Sequence, residues 1–63
     1  MEVHLQASIN GKKTYYCRVG TNGKVIMTEN KDSANPISKH LVPGIITKLM
    51  GQYTQVSDIE LLF

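Results

Sequence analysis

Glu2-Val3-His4-Leu5-Gln6-Ala7-Ser8-Ile9-Asn10-Gly11 is the stretch that decides the fold. Val3, Leu5, Ala7 and Ile9 fall on one parity, and Glu2, His4, Gln6, Ser8 and Asn10 on the other. Strict alternation of this kind is a strand with one buried and one wet face. Asn10-Gly11 then supplies two residues that tolerate positive φ, the strongest short signal for a hairpin. A β-rich segment follows at once, Thr14 to Val19, with Tyr15, Cys17 and Val19 on one parity and Thr14, Tyr16 and Arg18 on the other. Because the first set is the more apolar, it is expected to face inward and to leave Tyr16 and Arg18 outside. A second turn, Gly20-Thr21-Asn22-Gly23, leads into Lys24 to Glu29, where Val25 and Met27 oppose Ile26 and either face can be the inner one. The product is a three-stranded antiparallel meander.

Beyond it the pattern changes period. Asn30 to Pro36 holds no large apolar residue and reads as a loop. Asn35-Pro36 has the form of an N-cap followed by proline at the first helical position. Ile37, Leu41, Ile45 and Leu49 recur every fourth residue, joined by Val42, Ile46 and Met50, as on one helical stripe. Pro43 interrupts that stripe, so a break is expected near Leu41 to Pro43. The firmer helix is then Pro43 to Met50, closed by Gly51 as a left-handed cap. In the tail, Ser57-Asp58-Ile59-Glu60 matches a capping box, while Ile59, Leu61 and Phe63 alternate as in a strand. A helix of about six residues is barely stable alone, which favours a fourth strand over a short helix. The expected class is α+β, in one small domain covering residues 1–63.

The chain from Val3 to Glu29, with its Asn10-Gly11 turn and its Tyr16-Cys17-Arg18-Val19 and Asn22-Gly23-Lys24-Val25-Ile26 segments, resembles the YegP-like uncharacterised bacterial proteins built from βββα units. That resemblance implies a fold and no activity. The order of three strands and a helix is also similar to the arm-type DNA-binding domains of tyrosine recombinases, an architectural likeness that carries no motif residue across. Both cover at most residues 3–50.

Composition bounds the function. With 63 residues the chain sits near the lower limit for unaided folding, and its folded surface should be about 4,000 Å². A single cysteine, Cys17, excludes an internal disulfide. No apolar run approaches the ~20 residues needed to cross a bilayer, and no leader-like stretch opens the sequence, so a cytoplasmic protein is expected. Beginning at Met1, it reads as a complete small gene product, a class richer in binders, inhibitors and regulators than in enzymes, and of a kind that phages and mobile elements encode.

Catalytic and metal signatures are missing from the pattern. His4, His40 and Cys17 lie in three separate segments without metal-ligand spacing, so no metal or other cofactor is expected. Asp58 and Glu60 are the closest pair of acids and would share a strand face, where they would repel each other. The Gly20–Gly23 turn lacks phosphate-loop spacing, and Ser8, Ser33, Ser38 and Ser57 have no nucleophile-elbow context. No enzyme and no small-molecule substrate is expected.

Two surfaces remain. The apolar residues left over at the C-terminal end and on the helix, Val42, Ile46, Met50, Ile59, Leu61, Leu62 and Phe63, are expected to meet a partner protein or a second copy in a homodimer. The alternative is nucleic-acid binding by Lys12, Lys13, Tyr16, Arg18 and Lys24, an acid-free cluster in which a tyrosine would stack bases and the cations hold phosphates. The net charge of +2 is small for such a domain. Protein–protein contact is therefore the leading expectation.

Overall fold

In a computed structural model, which describes residues 1–62, the chain forms five antiparallel strands and one α-helix. The α+β class and the meander stand. The first strand, β1 (Glu2–Ile9), is central and buries every second residue, Leu5 to 1% exposure. Asn10 (φ 53°) and Gly11 (φ 82°) both take positive φ. That combination makes a two-residue turn whose twist matches the flanking strands. It delivers the chain into β2 (Lys12–Val19), and a second turn leads to β3 (Val25–Thr28).

The hairpin corrects the inward face of β2. A two-residue turn sets Ala7 opposite Thr14, so Thr14, not Tyr15, faces the helix. Thr14 is only 8% exposed, and its hydroxyl donates to the Ala7 carbonyl (2.9 Å). That bond satisfies the polar group that would otherwise keep it out of a core. Tyr16 follows on the same side and packs against the core. The register with β3 then slips between Tyr16 and Arg18, leaving Cys17 as the extra, half-buried residue of a bulge. Past the bulge Arg18 pairs with Ile26, and Val19 pairs with the buried Val25. Tyr16 and Arg18 therefore end on opposite faces of the sheet.

The long apolar stripe divides between two structures. Asn35-Pro36 does not cap a helix; the Asn35 N–H donates to the Tyr16 carbonyl (3.0 Å) and its Nδ2 to the Cys17 carbonyl (2.7 Å). These bonds bring in β4 (Ile37–Ser38), which pairs with Glu2 and Val3 where β1 and β2 part. Proline costs a strand no ladder bond at its entry, which suits Pro36 to this place. A 3₁₀ turn over Lys39–Leu41 leads into α1 (Val42–Gln52), with Pro43 in its first turn. Pro43 therefore begins a helix and does not interrupt one: in the stretch where a break was expected, the 3₁₀ turn gives way to the α-helix at Val42. Gly51 is not a left-handed cap: the helix runs through it to Gln52 and ends at Tyr53, whose N–H donates to the Leu49 carbonyl (3.0 Å).

The tail is a strand, β5 (Val56–Leu62), antiparallel to β1. Asp58, at φ 50°, marks a bulge where the register shifts. Val56, Ile59 and Leu61 pack against the core of Val3, Leu5, Ile9, Val25, Ile37, Val42, Ile45 and Leu49. Much of the apolar surplus at the C-terminal end thus closes the protein's own core. The folded surface is 4211 Å², close to the area expected for this mass.

Candidate functional site

The site follows from counting backbone groups on β1. A two-residue turn makes Ile9 and Lys12 exchange hydrogen bonds, so odd residues of β1 aim their N–H and C=O at β2 and even ones aim away from it. Two contacts at its ends obey that parity. The Asn10 N–H donates to the Gln55 carbonyl ahead of β5 (2.9 Å), and the Met1 carbonyl accepts from Lys39 after β4 (3.0 Å). Accordingly β2 and β4 share one edge of β1, and β5 holds the other.

His4 lies opposite Leu62 and Gln6 opposite Glu60, so Leu62 and Glu60 turn their backbone groups toward β1. Alternation then points the N–H and C=O of Leu61 and Ile59 outward. No further strand pairs there among the described residues. The side chains of Ile59 and Leu61 face the core, whereas Glu60 is exposed and Leu62 half-buried on the outer face. Asp58 and Ser57 extend the exposed polar border. The bulge at Asp58 breaks the even alternation with Glu60, so the two acids do not form the shared-face pair expected of a regular strand.

The opposite edge of the sheet is treated differently. On β3 the Val25 N–H donates to Gln52 Oε1 (2.7 Å), and Gln52 Nε2 donates to the Val25 carbonyl (3.0 Å). The side-chain amide has a donor and an acceptor at the spacing of a peptide unit. It occupies the place an added strand would take. Only the carboxamide residues among the common side chains can do both at once.

A hollow lies on the outer face of the sheet. His4, Tyr15, Lys31, Asp32, Ala34 and Leu62 line about 390 Å³, with a 3₁₀ turn over Lys31–Ser33 forming one wall. Asn30 holds that turn, its Oδ1 accepting from the Asp32 N–H (3.0 Å). The lining mixes one cation, one anion, an imidazole and a phenol.

The basic residues are not gathered into one surface. Tyr16 packs on the core, while Lys13 and Arg18 occupy the outer face. Lys12 lies with Ile9, Thr14 and Glu29 on the helix side, and Lys24 borders the end of α1 beside Gly51 and Gln52. The tyrosine on the outer face is Tyr15. The expected interface is also divided. Val42 is 5% exposed and belongs to the core, Ile46 packs against the core, and Met50 stands 58% exposed on the helix. Ile59, Leu61 and Leu62 belong to the open edge, and Phe63 lies outside the described residues. His4, Cys17 and His40 do not meet: among the described residues no three of His, Cys, Asp and Glu cluster as metal ligands would.

Gln52 was absent from the sequence expectations, because a lone glutamine at a helix end carries no pattern. Helices in the described residues are too short to cross a membrane. Comparison with protein-family models, with curated proteins and with solved structures found no match.

Proposed function

We propose that the chain is a non-enzymatic binding protein that engages another protein by strand addition along β5. The observation that supports this most is the outward-facing backbone of Ile59 and Leu61 on the seven-residue strand β5, whose side away from β1 no other strand pairs among the described residues. Such a row of unspent donors and acceptors is a template for an extended segment, with affinity from main-chain bonds and selectivity from alternate side chains. The contrast with Val25 strengthens it, since on the other edge a side chain is devoted to that residue's outward groups. A regulatory or inhibitory role in the cytoplasm suits a small binder whose single cysteine is free.

The test is to titrate extended heptapeptides into ¹⁵N-labelled protein and to follow the backbone amides. Shifts should concentrate at Ile59 and Leu61. N-methylating the peptide at alternate residues should abolish binding for one parity and spare it for the other, because only one parity faces the edge. Shifts confined to the hollow around His4 and Tyr15, or insensitivity to N-methylation, would contradict strand addition.

A further inference from the structure

The acids along the open edge point to what kind of strand it accepts. We infer that β5 takes a strand from a different protein, carrying lysine or arginine opposite Glu60 and apolar residues on the alternate positions, and that it disfavours a second copy of itself. This rests on the strand-addition reading above.

Self-pairing is limited by geometry. In an antiparallel pair of copies related by a two-fold axis, the outward residues Ile59 and Leu61 must exchange the hydrogen bonds. With Ile59 opposite its own copy, Glu60 falls at the Asp58 bulge of the other copy, where the regular ladder is interrupted. When Ile59 lies opposite Leu61, Glu60 faces Glu60 across the axis, in the closer, non-hydrogen-bonded kind of pair. If instead Leu61 lies opposite its own copy, Glu60 is set beside Leu62 and the pairing runs off the end of the strand. Like charges directly opposite one another destabilise a ladder, and opposite charges support it. No two-fold register offers Glu60 a cation, because β5 contains none between Val56 and Leu62.

A foreign strand escapes this restriction. Glu60 is exposed on the outer face of the edge, where a lysine or arginine on the adjoining strand could lie across from it. Ile59 and Leu61 are half-buried on the opposite face, so an added strand continues the apolar side of the sheet there. The pattern sought is one of alternating apolar and basic residues. Acidic edges of this kind also protect the unbound protein from edge-to-edge aggregation.

Three heptapeptides test the inference, alternating valine with lysine, with threonine or with glutamate, each titrated while the Ile59 and Leu61 amides are observed. The lysine peptide should bind about three- to tenfold more tightly than the threonine one, and the glutamate peptide most weakly. That preference should shrink between low and high salt. Glu60→Lys, an exposed change that spares the core, should invert the order. Equal affinities in both proteins would overturn the charge selection and leave strand addition intact. An absence of shifts at Ile59 and Leu61 with every peptide would overturn strand addition and the inference with it. Sedimentation at micromolar concentration should give a monomer, and a β5-mediated dimer would overturn the preference for a foreign strand.

Discussion

The two edges of this sheet present the same chemical problem and answer it in opposite ways. On β3 the outward N–H and C=O of Val25 are held by one side-chain amide, Gln52, at 2.7 and 3.0 Å. Along β5 the outward groups of Ile59 and Leu61 meet no strand among the described residues, and a bulge and two acids border them. Bulges and charges deter indiscriminate pairing without preventing all of it. A bound carboxamide blocks it at the residue it holds. The difference teaches that an edge is closed by hydrogen-bond satisfaction and merely filtered by charge.

Four substitutions would break or sharpen that contrast. Leu5→Ala removes the middle of β1, on which both edges depend, and should cost about 2–5 kcal/mol by denaturant titration. It serves as the control in which both edges loosen together. Gln52→Ala should cost about 1–3 kcal/mol, because Val25 loses both partners at a part-buried position. A two-dimensional amide spectrum should then change around β3 and stay unchanged along β5. Asp58→Gly relieves a left-handed backbone at φ 50° and should stabilise by up to about 1 kcal/mol. Should it destabilise instead, the carboxylate itself would be holding the bulge. Glu60→Lys should shift stability by less than about 0.5 kcal/mol, the usual scale for an exposed position, while reversing the peptide preference.

Much of the fold could be read from local patterns. The alternation of Glu2 to Ile9, the Asn10-Gly11 turn and the preference of the tail for a strand are all short-range signals. The face of β2 was just as readable, yet polarity hid it. A two-residue turn after Ile9 pairs residue 7 with 14 and residue 6 with 15, which puts Tyr15 outside and the next residue, Tyr16, inside before any side chain is weighed. Counting apolar residues pointed the other way, because Thr14 becomes a core residue only through its bond to the Ala7 carbonyl. Cys17 then reversed the parity by bulging, and nothing local announces a bulge. Ile37 showed the opposite failure: its spacing matched the helix, but pairing with Val3 makes it a strand residue.

The candidate site was half legible. Ile59, Leu61 and Leu62 stood out as apolar residues left at the chain's end, and they do border the open edge. Their side chains, however, serve the core and the outer face, and it is the backbone of Ile59 and Leu61 that turns outward. Backbone pairing depends on which strands become neighbours, a long-range property that composition does not carry. Gln52 was invisible for the same reason, since its partner lies 27 residues away in sequence.

Amide hydrogen exchange on the unbound protein tests the contrast between the edges most directly. Only hydrogen-bonded or buried amides are strongly protected. The account predicts slow exchange for Val25, held by Gln52, and for Gln6, paired with β5, beside fast exchange for Ile59 and Leu61. Protection of Ile59 and Leu61 equal to that of Gln6 would mean that the β5 edge is already closed, and would contradict it.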